Sequence, residues 1–162
     1  TQEMMDVIET EYNLLNVTLH VSLGTFKPID VESLEDHKMH SETLEYSQKT
    51  LDDLNRYKSE GYYLVAVGTT SLRFLQSLYN PQTKVFEAAR KSTDIFIKPG
   101  FDDFCVEALI TNFHLPKSSL FVLVSAFMGL EKMKQAYEFA IKNKFRFYSF
   151  GDSSLLMRKS GI

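Results

Sequence analysis

The chain has 162 residues, 44% of them hydrophobic and 24% charged, a size and balance that suit one domain with a sizeable core and set disorder aside. A single cysteine, Cys105, in an apolar setting allows no internal disulfide and reads as a buried structural thiol in a reducing compartment. The longest apolar run, Leu120 to Leu130, is shorter than the ~20 residues a membrane-spanning helix needs, and no signal-peptide pattern opens the chain, so a soluble cytoplasmic protein is expected.

The net charge of −3 is unevenly spread: residues 1–60 carry 13 acidic and 5 basic residues, and residues 117–162 carry 3 and 8. TQEMMDVIETEY reads as the middle of a helix (residues 1–14), as expected of a piece of a longer protein. VTLHVSL alternates and is β-branched, a strand ending at Gly24. Asp30 precedes a short helical turn in VESLED, and TLEYS reads as an edge strand. Ser47 is placed to cap QKTLDDLNRYKSE, which carries Leu51 and Leu54 on one face and stops at Gly61.

YYLVAVG is almost wholly apolar, as expected of a strand covered on both faces. GTTS makes a turn before the helical period of SLRFLQSLY. TDIFI, VEALI and RFYSF are strand candidates. SSLFVLVSAFM, apolar all round, predicts a buried helix capped by Ser118 or Ser119. LEKMKQAYEFAIKNK predicts an amphipathic helix with Met133, Ala136, Tyr137, Ala140 and Ile141 as its apolar stripe. The alternation of element types predicts an α/β fold, a sheet flanked by helices, in one domain over residues 1–162.

Polar residues collect at element ends in HVSLGTFKP, DHKMHSE, VGTTSLR, TNFHLPKSS and FGDSS, and in an open α/β sheet ligands bind where strands end. The free N–H groups of the helix after GTTS suit an anion as well as a simple cap, and Arg73 adds a fork that holds two oxygens. His37 and His40, three apart, would share one face of a helix. That pair suits acid–base work with Asp36 or Glu42 as orienting group, or a metal, although Cys105 and His114 have no spacing that ties them to it. The motifs GxSxG, GxGxxG and GxxxxGK[ST] are absent, which argues against a hydrolase elbow, a Rossmann fingerprint and a P-loop. Lys132, Lys134, Lys142, Lys144 and Arg146 form either a solvated helix face or a contact for a phosphate backbone.

VTLHVSLGTFKPI, EDHKMHSE, AVGTTSLR, TDIFIKPG, ALITNFHLPKSSL with LVSAF, and RFYSFGD together, in this order, resemble the S-adenosylmethionine:tRNA ribosyltransferase-isomerases of queuosine biosynthesis. The resemblance runs from Val17 to Asp152. It implies the C-terminal portion of the family's large α/β domain, with an inserted β-barrel domain not present in this chain. It also implies transfer and isomerisation of the ribosyl moiety of S-adenosylmethionine onto the 7-aminomethyl-7-deazaguanine base of tRNA, giving epoxyqueuosine-tRNA and releasing adenine and methionine. S-adenosylmethionine is then a co-substrate, and neither a cofactor nor a metal is expected.

Such a reaction needs a base for a proton acidified by the sulfonium, an acid or hydrogen bond for departing adenine, and a grip on the donor. On the resemblance, the catalytic candidates are His37, His40, His114, Glu42, Asp94 and Asp152. The substrate-binding candidates are His20, Thr25, Thr69, Thr70, Arg73, Asn112, Lys117 and Ser118, with Phe26 or Phe113 offering a ring face to the sulfonium. Two other classes compete: a non-catalytic tRNA-binding or structural remnant of the family, and a metal-dependent hydrolase using His37 and His40.

Overall fold

A computed structural model describes residues 1–21, 29–31, 33–88 and 91–158. Thr1 accepts a hydrogen bond from the Met4 amide and caps α1 (Gln2–Glu11), which buries none of its residues. Strand β1 (Thr18–His20) follows; Ser22 and Leu23 of the expected VTLHVSL strand, its stop at Gly24, and Thr25 and Phe26 lie outside the described residues. A 3₁₀ turn at Leu34–Asp36 leads to β2 (Glu42–Glu45), and Ser47 caps α2 (Gln48–Ser59), which buries Leu51 and Leu54.

Strand β3 (Val65–Val67) runs into α3 (Thr69–Leu78) through Gly68, whose φ of +92° suits glycine. A hairpin of β4 (Tyr79–Asn80) and β5 (Val85–Phe86) follows, then β6 (Ser92–Thr93) and β7 (Ala108–Asn112). Ser118 caps α4 (Ser119–Met128), α5 spans Leu130–Lys142, and β8 (Ser153–Met157) completes the described elements.

One sheet has the order β3-β7-β8, with β7 parallel to β3 and antiparallel to β8. Ala66, Leu109 and Leu156 stand side by side on its inner face and join a core with Leu72, Phe74, Leu78 and Val124. The second sheet, β1-β2-β6, is antiparallel. Cys105 is buried in the core, and burial raises its thiol to about 12, so it is an inert packing group.

Five expectations change. TLEYS holds the middle strand of its sheet, since β1 and β6 flank β2 on either side. YYLVAVG is not covered on both faces: Ala66 is 1% exposed, whereas Val65 and Val67 are 42% and 65% exposed. RFYSF forms a 3₁₀ turn at Tyr148–Phe150, and the strand lies beyond it in SSLLM, where alternation places Ser154 and Leu156 inward. TDIFI contributes to strand pairing only through Thr93, because Ile95 to Ile97 turn inward as packing. On α5, Met133, Tyr137 and Ala140 are buried, but Ala136 and Ile141 are exposed.

Candidate active site

Because β3 and β7 are parallel, their C-terminal ends lie side by side, held by the Gly68 amide bonded to the Ile110 carbonyl at 2.8 Å. From these ends leave Thr69 and Thr70, opening α3, and Asn112 to His114, leading to α4. Thr69 is buried and Thr70 exposed, and the first turn of α3 leaves N–H groups without partners inside the helix. Asn112 is exposed on the rim opposite Ser153.

His114 is half-buried, its Nε2 lies 3.0 Å from the Thr111 hydroxyl, and its backbone N–H donates to the Tyr137 hydroxyl at 2.8 Å. Burial lowers its pKa from 6.5 to about 4, so the ring is neutral at pH 7. Lys117 is exposed at a φ of +57° in the turn begun by Pro116, and its carbonyl accepts from the Ile29 amide at 2.8 Å. The end of the first motif is thereby fastened to this turn. The Ser118 hydroxyl oxygen accepts from the Phe121 amide and its O–H donates to Leu115 O, so this side chain is spent on the cap.

Behind the rim lies a buried ion pair: Arg73 Nη1 donates to Glu42 Oε2, the two side chains being 3% and 0% exposed. Both residues therefore differ from their expected parts, Glu42 as orienter of a histidine and Arg73 as an open anion fork. Burial lowers the Arg73 pKa and Glu42 opposes that. Among the described residues, Arg73 Nε and Nη2 find no hydrogen-bond partner.

The guanidinium lines a cavity of about 10 Å³, water-sized, whose other walls include Met39, Ile95 to Ile97, Ser119 and Leu120. HKMHSE, GTTSLR, DIFIKPG and HLPKSSL thus converge on one buried arginine. RFYSFGD joins them through the Tyr148 amide, which donates to Phe113 O at 3.1 Å. Its glycine is required by packing, because a Cβ on Gly151 would sit 2.6 Å from the Arg146 carbonyl oxygen.

The remaining candidates are less central. His37 and His40 share no helix face, since the 3₁₀ turn ends at Asp36 and no helix spans the pair; His37 packs its ring on Phe96 with centroids 5.0 Å apart, and His40 is exposed. Asp94 is exposed in a different cleft, of about 390 Å³, beside the C-terminal end of α3 and together with Glu87. Asp152 accepts from the Arg146 guanidinium at 2.9 Å and from the Arg146 amide at 2.8 Å, and Arg146 holds its carboxyl below the usual range, so it orients no histidine. His20 Nε2 lies 3.1 Å from Glu45 Oε2 on the surface. Phe113 packs among Tyr137, Phe145 and Phe147 in the core and presents no free face. Thr111 and Tyr137, which hold His114, are not among the residues the sequence marks; Thr111 stands three residues before His114, and Tyr137 carries no signal beyond its helical stripe.

Among the described residues, no three His, Cys, Asp or Glu side chains come together as metal ligands. No described helix is long and apolar enough to cross a membrane.

An α/β protein with interlocked polar loops at parallel strand ends is the class these features define. The sequence model of the family described as "Queuosine biosynthesis protein" matches residues 1–156, and the chain belongs to that family. It is 47% identical over 158 residues to the S-adenosylmethionine:tRNA ribosyltransferase-isomerase of Staphylococcus haemolyticus, covering 97% of this chain and 46% of the relative. The protein of the same name from Chelativorans sp. is 50% identical over 155 residues, covering 96% of this chain and 42% of the relative. The crystal structure of S-adenosylmethionine tRNA ribosyltransferase from Thermotoga maritima superposes with a TM-score of 0.73 at 32% identity, over 97% of this chain and 49% of that one. The chain therefore spans about half the length of the relatives it matches, or slightly less.

Proposed function

We propose that the chain is the C-terminal portion of the large α/β domain of an S-adenosylmethionine:tRNA ribosyltransferase-isomerase. It serves transfer and isomerisation of the ribosyl moiety of S-adenosylmethionine onto the 7-aminomethyl-7-deazaguanine base in tRNA. Epoxyqueuosine-tRNA, adenine and methionine are the products. The observation that carries this reading is the convergence of four sequence motifs on buried Arg73, just behind the strand ends where α/β folds bind ligands, in a chain of this family.

The parts are assigned by chemistry. His114, at the strand ends beside Thr111, is the base that takes the proton next to the sulfonium; burial keeps its ring neutral and free to accept, at the cost of a lower proton affinity. Thr70 and the amides at the start of α3 take the methionyl carboxylate, and Asn112 reads a ribose or base edge with its two-sided amide. Lys117 lies on the same rim and suits a tRNA phosphate. Arg73 and Glu42 position the loops and do not touch the donor. His37 or His40, on the segment that leads into β2, supplies the acid for departing adenine.

The test joins this chain to the unmatched remainder of the Staphylococcus haemolyticus relative and follows adenine release in a single turnover with S-adenosylmethionine and precursor tRNA. Adenine release by the unsubstituted protein and a slowing of at least about tenfold in His114→Asn are expected, the low end of the range for general base catalysis. An unchanged rate in His114→Asn removes the histidine from the chemical step. Binding of tRNA without any adenine release favours the non-catalytic remnant instead.

A further inference from the structure

Phe145 and Phe147 set their rings on Phe113, whereas Tyr148 is 49% exposed and, among the described residues, no other ring packs on it. Its φ is +67°, in the left-handed region that a bulky side chain rarely occupies. The turn around it fixes this conformation. The Tyr148 amide donates to Phe113 O at 3.1 Å, the Tyr148 carbonyl accepts from the Gly151 amide at 2.9 Å, and Asp152, bonded to the Arg146 amide and guanidinium, closes the turn. A Cβ on Gly151 would sit 2.8 Å from Tyr148 O, so only glycine allows the closure. Of the other described non-glycine residues with positive φ, Lys84 lies in the β4-β5 hairpin turn and Lys144 just past α5, where left-handed backbone is ordinary. Lys117 and Tyr148 hold it in the two loops that the Phe113 bond joins. Such strain persists only where the surroundings over-determine it, and it clusters at ligand-binding sites.

We infer that Tyr148 is a stacking platform for an unpaired base of the tRNA, with Lys117 on a phosphate of the same single-stranded segment. The inference rests on tRNA being the substrate, as proposed above, and adds the residue that holds a base. A ring whose backbone is already pinned offers its face to a planar ligand at little further loss of freedom, and every base has such a face once it is unpaired and unstacked. The surroundings of Tyr148 are cationic: Lys144 and Arg146 precede it in the chain, Lys117 lies on the joined loop, and all three are exposed. An aromatic face among cations is the chemistry that holds single-stranded nucleic acid. The adenine of S-adenosylmethionine has a π face too, but that molecule carries no phosphate for these cations, which favours the tRNA. Because Tyr148 is bonded to the loop of Asn112 and His114, the stacked base lies beside the residues assigned to the chemistry.

The test uses this chain joined to the unmatched remainder of the Staphylococcus haemolyticus relative and measures Kd for precursor tRNA and, separately, for S-adenosylmethionine. Tyr148→Gly removes the ring and suits the left-handed backbone, so its melting temperature is expected to be no lower than the parent's. Its Kd for tRNA is expected to rise about tenfold, within the range base stacking supplies, with the slope of log affinity against log salt unchanged. Tyr148→Phe keeps the face and is expected to bind tRNA within about twofold of the parent. Lys117→Gln is expected to lower the salt slope by about 0.7, one phosphate of a single strand, and S-adenosylmethionine binding is expected to be unchanged in all three variants. Parent-like tRNA binding by Tyr148→Gly, an equal loss in Tyr148→Phe, an unchanged salt slope in Lys117→Gln, or a melting temperature several degrees lower in Tyr148→Gly would each overturn the inference, the last by making the ring a packing group. Weakened S-adenosylmethionine binding with tRNA binding intact would overturn it in favour of the donor's adenine. If the parent binds tRNA and releases no adenine, the ribosyl-transfer reading fails, while a tenfold loss in Tyr148→Gly still supports the stacking assignment.

Discussion

Burial sets the protonation of His114, and the sign of its effect on stability follows. Its pKa falls from 6.5 to about 4 in the fold, so between those values the unfolded chain binds a proton that the folded chain does not. The stability linked to this ring is present above about pH 6.5 and is lost as pH falls toward 4. The expected loss is on the order of 2 kcal/mol once solvent screening of a half-buried ring is allowed for, and denaturant titrations across this range should show that His114→Gln removes that part of the slope. Arg73 and Glu42 make a second residue-scale case. Removing the cation alone, in Arg73→Met, is expected to cost about 3–5 kcal/mol because the Glu42 charge stays buried, whereas Arg73→Met/Glu42→Leu recovers most of that in equilibrium unfolding. Neither partner's burial was visible in the sequence. HKMHSE and GTTSLR are 31 residues apart at this pair, and only the packing of α3 against the second sheet brings the carboxylate to the guanidinium.

Elements were legible wherever their signal was local. Ser47 and Ser118 cap their helices as expected, since an N-cap needs only a hydroxyl and an amide a few residues on. Gly61, with a φ of +81°, ends α2 for an equally local reason. Strands were less legible. YYLVAVG reads like a strand buried on both faces because composition reports apolarity, and apolarity does not say whether the covering layer belongs to these residues. RFYSF alternates as a strand does, yet the Tyr148 amide bonds to Phe113 O and the Asp152 amide to Arg146 O, which closes the segment into a turn. The two histidines of DHKMHSE have helical spacing, but the chain between the 3₁₀ turn and β2 forms no helix, so spacing alone misplaced them.

At the scale of the molecule, the charge gradient becomes a surface. Lys132, Lys134, Lys142, Lys144 and Arg146 are all exposed on or just after α5, although Lys134 is paired with Glu131 and Arg146 with Asp152. If tRNA lies along this side, charge reversal at Lys132, Lys142 and Lys144 in the completed protein should weaken binding and lower the slope of log affinity against log salt by roughly 0.7–0.9 for each phosphate no longer neutralised. An unchanged slope would remove the helix from the interface.

The sequence by itself determined the α/β class, the helix starts and stops, the inert cysteine and the motifs that mark the family, because each depends on neighbours within a few residues or on composition. Only the tertiary structure decided that Arg73 and Glu42 form one buried pair, that His114 rather than His37 stands by the strand ends, and that Asp94 and Asp152 lie elsewhere. These depend on which distant segments share a layer, and the free energy that decides it comes from burial across the whole fold.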